Sequence, residues 1–246
     1  MIKINVKNYT YNNKIAVLKN INIALQQGSI TCLIGPSGCG KSTFLRLLMG
    51  MECGADGFIE FQKNTLEFSN WNSSQTLFTM VPQIPHLLPW KNIIENIILA
   101  IPKEKVAREK ISAFDIAFEA LKIVQLETHF KKYPFEISLG MAQRVSLARS
   151  LVMDAQAILL DEPFASLDAY TRLILQNWLK QKIAEANKYA ILVTHDMHEA
   201  FNISQEIHVL SGYPAEIAKT YSEPDKNLFV QYENEILTLL GGDCIS

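Results

Sequence analysis

Residues 30–43 read ITCLIGPSGCGKST. The first five, ITCLI (30–34), form a near-continuous apolar run, as expected of a strand buried on both faces. The next nine, GPSGCGKST (35–43), satisfy the pattern G-x-x-x-x-G-K-[ST]. A strand before the glycines and a helix after them is the context in which this pattern cradles phosphate. Gly38 and Gly40 lack Cβ, so the backbone from Gly35 through Pro36, Ser37 and Cys39 can curl around phosphate oxygens. Backbone N–H groups and the helix start then point at the anion. Lys41 supplies a mobile positive charge for the β- and γ-phosphates. Ser42 is the expected Mg²⁺ ligand, and Thr43 closes the motif. Cys39 falls inside the loop, with no chemistry of its own assigned. A plain glycine-rich turn is the bland alternative, and it leaves the strand and helix on either side unexplained.

Working outward, Ile2, Ile4 and Val6 alternate, as do Ile21, Ile23 and Leu25, so two early strands with one wet face are expected. The helix from about Lys41 should stop near Gly50. TLFTMV (76–81) is a further strand candidate. The pattern then turns mostly helical, over about 91–101, 110–126 and 139–153. Strand signals return at 157–160, 190–194 and 206–210, with helices between them at about 169–186 and 196–202. Residues 225–240 read as a closing amphipathic helix. The whole describes an α/β core interrupted by a helical insertion.

The chain has 246 residues, 48% hydrophobic and 20% charged, so a sizeable core is expected rather than disorder. A formal net charge of -2 gives no electrostatic argument for nucleic acid. Cys32, Cys39, Cys53 and Cys244 form no CxxC pair, and a reducing cytosol is the simpler expectation. MIKINVKNYT (1–10) alternates like a strand and lacks the apolar core of a signal peptide. No apolar run approaches the roughly 18 residues of a membrane helix. NIIENIILAI (92–101) comes closest, and Glu95 and Asn96 interrupt it. A soluble chain is expected, with any membrane role exercised through a partner.

AILLDEP (157–163) places Asp161 and Glu162 at the C-terminal end of an apolar strand, the edge at which ligands bind in open parallel sheets. The phosphate loop also follows a strand end, so the two should converge. Asp161 is then a direct or second-sphere Mg²⁺ partner, and Glu162 is placed to polarise an attacking water. ASLD (165–168) supplies Asp168, and ILVTHD (191–196) supplies His195 at a third strand end, a candidate for the γ-phosphate. ISLGMAQRV (137–145) opens a helix: Ser138 is a candidate N-cap, and apolar residues recur at Met141, Ala142, Val145, Ala148, Leu151 and Val152. Such a helix start favours anions.

In this order the motifs resemble those of the ATP-binding cassette (ABC) ATPases, over nearly the whole chain. The series runs through the phosphate loop, VPQ with Gln83, the signature region at 137–143, the acidic strand end, the loop at Asp168, and His195. The resemblance implies an α/β P-loop NTPase cassette: a mixed or parallel sheet core, an antiparallel β part and an inserted helical subdomain. On it the chain is one cassette, with 1–83 and 154–246 as core and 84–153 as the helical signature subdomain. It implies ATP and Mg²⁺, with Gln83 reporting on the metal and the attacking water. Tyr11, seven residues before Leu18, matches the aromatic that stacks on adenine; Tyr9 is a rival, and an ordinary strand aromatic is the plainer reading. Two cassettes would face each other head to tail. Ser138 and Gly140 would then meet the γ-phosphate held by the partner, beside Asp168. A homodimer, integral membrane permease subunits and, indirectly, a solute-binding protein are implied partners. The implied location is cytoplasmic, on the inner face of the cell membrane.

HLLPWKNIIENI (86–97) and VLSGYPAEI (209–217) resemble the group importing nitrate, sulfonates, taurine and related solutes. Leu87, Leu88 and Trp90 are either ordinary packing residues or the lining of a groove for a permease coupling helix. The family signature LSGGQ stands here as ISLGM. Ile137 is a mild change and Met141 is common in this importer group. Leu139, at the first glycine, is the real departure: its Cβ disfavours positive φ and would crowd a phosphate. It is expected to weaken the closed dimer or slow hydrolysis, unless a second cassette brings an intact signature. An exporter or lipid-trafficking subunit is the second reading of the whole chain, and a soluble non-transport ABC ATPase the third.

Overall fold

Strands β1 (Ile2–Tyr11) and β2 (Ile15–Leu25) pair antiparallel, with Ile4 opposite Ile23 and Val6 opposite Ile21, so the alternating apolar residues share one buried face. The computed structural model describes residues 1–11, 15–71 and 77–240. Cys244 and the first residue of the 76–81 strand candidate lie outside the described residues.

The run at 30–34 forms β3 (Ile30–Ile34), buried at every position. Helix α1 (Lys41–Leu48) follows the glycine loop at once. It ends as expected at Gly50, whose φ of +67° lets the Gly50 and Met51 amides donate back to Leu47 and Arg46. Two short strands not foreseen from the sequence, β4 (Asp56–Phe61) and β5 (Asn64–Glu67), complete a four-stranded antiparallel sheet in the order β2-β1-β4-β5.

The second sheet carries the site. Beyond β3 it contains β6 (Phe78–Val81), β7 (Ala157–Asp161), β8 (Tyr189–Thr194), β9 (Glu206–Ser211) and β10 (Glu216–Ser222). The order is β10-β9-β3-β8-β7-β6, parallel except for β10. Both faces are covered, which is why its strands read as apolar runs. Ile30, Cys32 and Ile34 face one core with Leu160 and Leu192, while Leu33, Leu159 and Ile191 face the other with Phe44 and Leu48 of α1 and the inner residues of β1 and β2.

Between β6 and β7 the chain makes four α-helices: α2 (Ile93–Ile98), α3 (Lys103–Glu109), α4 (Ala113–Ile123) and α5 (Leu139–Val152). Buried Ile93, Ile97, Ala117, Leu121, Val145 and Ala148 join α2, α4 and α5 to the core. The helix expected at 91–101 is shorter because Asn92 and Glu95 form a capping box and fix its start. That expected at 110–126 starts late and stops early: Lys110 (φ +55°) ends α3, Ser112 caps α4, and Gln125 (φ +56°) breaks the chain after it. Charged α3 buries no residue, so it left no apolar period to read. After β7 come α6 (Ala169–Glu185), α7 (Met197–Ile203) and α8 (Phe229–Leu239), the last shorter than the expected 225–240. Among the described residues no helix is long and apolar enough to cross a membrane.

Candidate functional site

Because β3, β7 and β8 run parallel and adjacent, the residues that follow them emerge at one edge of the sheet. That edge carries the phosphate loop, the Asp161–Glu162 pair and His195.

In the loop, Gly38 and Gly40 have φ of +80° and +109°. A Cβ at Gly40 would also sit 3.0 Å from Val17 and Leu18 side-chain carbons. Glycine is thus required both by conformation and by the close approach of β2. Pro36, Ser37 and Gly38 are exposed at the crest, while Cys39 is buried and acts as packing beneath it. Lys41 is only 6% exposed, and its Nζ donates to the carbonyls of Gly35 (2.7 Å) and Pro36 (2.8 Å). The ammonium is held under the loop whose amides would meet a phosphate.

Ser42 donates from Oγ to Asp161 Oδ1 at 3.1 Å, joining the first turn of α1 to the end of β7. Burial pushes the Asp161 carboxyl above its usual range, opposed by the Ser42 hydrogen bond. A buried carboxylate beside a hydroxyl suits a hard cation with oxygen ligands. Among the described residues no cluster of three or more His, Cys, Asp or Glu side chains could hold a metal ion without other ligands.

Glu162 takes φ +46° where the chain leaves β7, and its amide donates to Val193 on neighbouring β8 at 2.9 Å. Its two carboxylate oxygens have different neighbours. Oε1 lies 3.1 Å from Nδ1 of His195, and Oε2 accepts from Nε2 of Gln83 at 3.2 Å. Three residues from three separate sequence motifs therefore form one cluster: Glu162 and His195 at the strand-end edge, as expected, with Gln83 joining them from the segment after β6.

Gln83 sits after β6 in a segment fastened to α5. Gln143 donates to Pro82 O (2.9 Å), Ser150 to Met80 O (3.2 Å) and Arg149 to His86 O (2.7 Å). Buried Gln143 was not singled out in the sequence; its only signal was a polar residue among the buried positions of α5.

At the start of α5, Ser138 is the expected N-cap and accepts from Met141 N at 3.2 Å. Leu139 is the first helical residue, with no positive φ, and is 62% exposed. The expected backbone conflict is therefore absent: Ser138 caps the helix in an extended conformation and Leu139 follows with helical angles. Gly140 sits close to another segment: a Cβ there would lie 3.0 Å from the carbonyl oxygen of Ser166 and would crowd it. Helix α5 thus abuts the loop before Asp168 in its own chain. Asp168 caps α6 by accepting from Thr171 N at 3.0 Å, which holds its carboxyl below the usual range.

The two tyrosines separate cleanly. Tyr9 is 3% exposed and donates to Glu52 Oε2 at 2.9 Å, whereas Tyr11 is 44% exposed. Tyr11 alone has a free face to offer.

A phosphate loop at a parallel sheet's edge, with acidic and histidine residues from adjacent strand ends, defines a P-loop NTPase. A family model described as "ABC transporter" matches residues 18–165. The chain belongs to the ABC transporter family, as an ATP-binding cassette with ATPase activity. It is 38% identical over 206 residues to the aliphatic sulfonates import ATP-binding protein SsuB of Bacillus anthracis, covering 83% of this chain and 78% of that one. It is 36% identical over 201 residues to the taurine import ATP-binding protein TauB of Escherichia coli O157:H7, covering 82% and 76%. It is 32% identical over 251 residues to an uncharacterized ABC transporter ATP-binding protein, MJ0412, of Methanocaldococcus jannaschii, covering 97% and 91%. Among solved structures it resembles a dimeric post-hydrolysis state of the ATP-binding cassette MJ0796 bound to ADP and Pi. The TM-score is 0.76 at 26% identity, covering 92% of this chain and all of that one.

Proposed function

We infer that this cassette powers import of a small solute of the nitrate, sulfonate or taurine type through a membrane permease. The contact of Glu162 with both Gln83 and His195 carries the catalytic half of this reading. The solute class is supported by the sulfonate and taurine import relatives and by LLPW (87–90), where Trp90 is 70% exposed. An exposed indole beside partly buried Leu87 and Leu88 suits a permease segment docking on the helical insertion.

ATP binds with its phosphates against residues 35–43 and its adenine against Tyr11. Mg²⁺ would be held by Ser42 and Asp161 with Gln83 nearby, and when bound it neutralises phosphate charge. Glu162 accepts a proton from water as the water oxygen attacks the γ-phosphorus, and the bond to the bridging oxygen of ADP breaks. His195, beside Glu162, lies where it can hydrogen-bond the γ-phosphate. Residues 84–153 serve as the signature subdomain on a core of 1–83 and 154–246. Its helix start at Ser138 and Gly140 completes the site of a second copy, with Asp168 at the same seam. The chain then sits on the cytoplasmic face of the membrane by way of the permease, which a solute-binding protein supplies.

The test is uptake. The chain is expressed with permease and solute-binding subunits of a sulfonate or taurine importer, and labelled taurine and an alkanesulfonate are followed. ATP-dependent accumulation is expected. Efflux, or accumulation that persists in Lys41→Ala, would overturn the reading.

A further inference from the structure

Arg172 lies on the first turns of α6, four residues beyond the cap Asp168. Its guanidinium makes two bonds in two directions. Nη2 donates to the carbonyl of Leu167 at 3.1 Å, in the loop that Gly140 abuts. Nη1 donates to Asp196 Oδ2 at 3.3 Å, in the residue after His195. One side chain thus spans the Asp168 loop and the His195 loop.

The far end of this tie is anchored. Asp196 uses its other oxygen, Oδ1, to cap α7 by accepting from Glu199 N at 3.1 Å. The Asp196 amide donates to Thr194 Oγ1 at 3.0 Å, and the Thr194 hydroxyl donates in turn to buried Glu199. His195 is therefore flanked on both sides by fixed residues, while its own ring is 61% exposed. Among the described residues the ring's polar partner is Glu162.

We propose that Arg172 is a positioning residue that sets the His195 loop relative to the Asp168 loop, so that both meet the nucleotide in one arrangement. The proposal rests on the ATPase reading above and deepens it. Both members of the Arg172–Asp196 pair are about one-third exposed, so the pair adds little to stability. Its geometry matters more. A planar guanidinium can hold two acceptors at a fixed angle, which an ammonium on a flexible stem cannot do. The guanidinium also lines an open cavity of about 440 Å³, so shortening or neutralising it leaves no sealed void.

The test compares purified wild type with Arg172→Met and Arg172→Lys. In Arg172→Met the kcat for ATP is expected to fall about ten- to a hundredfold, the cost of a small misplacement of a reacting group. Affinity for a fluorescent ATP analogue should stay within about twofold, since Arg172 does not line the phosphate loop. Arg172→Lys should recover part of the lost kcat, because it can still reach one acceptor. Amide hydrogen exchange of the nucleotide-free chain should quicken in both 163–168 and 193–199 in Arg172→Met. Unchanged exchange in either loop overturns the proposal, whatever the chain hydrolyses. Quickened exchange with wild-type kcat overturns it as well. A wild-type chain that hydrolyses no ATP would strike the ATPase reading instead, and the exchange result would still decide the tie.

Discussion

Glu162 Oε1 lies 3.1 Å from Nδ1 of His195, and the residue's other carboxylate oxygen accepts from Gln83 at 3.2 Å. A carboxylate held by two polar neighbours at the end of β7 is oriented before any substrate arrives. Glu162→Gln keeps the shape and can still accept from Gln83 through its amide oxygen, but its amide nitrogen can neither accept a hydrogen bond nor take a proton. Phosphate release should fall at least about a hundredfold, with ATP affinity little changed. Hydrolysis at the wild-type rate would show that Glu162 is not the base.

Tyr9 and Tyr11 make opposite predictions although their rings touch edge-on, with centroids 6.5 Å apart. Tyr11→Ala removes an exposed stacking face, and losing such a stack weakens binding by about 1–3 kcal/mol. The Kd for ATP should therefore rise at least about fivefold with no change in melting. Tyr9→Phe loses the hydroxyl bond to Glu52, a partner that together with burial pushes the Tyr9 phenol up to about 12. It should cost about 1–2 kcal/mol of stability and leave nucleotide affinity alone. Exchanged outcomes would reverse the assignment of the adenine platform.

Leu139 presents an exposed side chain at the start of α5, without backbone strain. Its effect should appear only when a second cassette closes over it. In a Glu162→Gln background, Leu139→Gly is expected to increase ATP-dependent dimer on sizing, while ATP affinity of the single chain is unchanged. The helix itself should lose less than about 1 kcal/mol. Equal dimer in both variants would show that the leucine is neutral to closure.

Burial raises the Glu199 carboxyl from an ordinary 4.5 to about 7, with Asp196 raising it further and the Thr194 hydroxyl and Arg172 opposing. The folded chain thus keeps a proton that the unfolded chain releases above 4.5. The stabilisation is full below the unfolded value and is lost as pH rises through about 7, on the order of 3 kcal/mol in all. Glu199→Gln stays neutral and can still accept from Thr194. Urea unfolding at pH 5 and pH 8 should show the variant gaining on wild type as pH rises. His208, pushed down to about 4 by burial, titrates alike in both chains and cancels in the difference. A constant difference across that range would mean Glu199 is ionised throughout.

Much of this molecule is written locally. The glycine loop, its strand and its helix occupy one unbroken stretch, and the alternation in β1 and β2 or the apolar runs of β3, β7 and β8 follow from which faces each strand buries. The residue types at 35–43, 161–162 and 195 could be picked out as candidates because phosphate, metal and water each call for particular groups. Where a local signal was weak, the reading fell short. Charged α3 buries nothing, and the short strands β4, β5 and β10 carry too few inward residues to declare a period.

Other facts depend on neighbours far apart in the chain. Only the order β9-β3-β8-β7-β6 brings the Ser42–Asp161 bond and the Gln83–Glu162–His195 cluster to one edge. Only the packing of β1 buries Tyr9 and leaves Tyr11 free, and only the approach of α5 to Ser166 explains Gly140. Arg172 gave no signal in the sequence, since a lone arginine on a helix is ordinarily a solvated charge. Its meaning comes from the two loops it reaches, Leu167 on one side and Asp196 on the other. The sequence determined which groups are present and which local elements carry them; the sheet order and the helix packing decided which of those groups meet, because hydrogen bonds act only over a few ångströms.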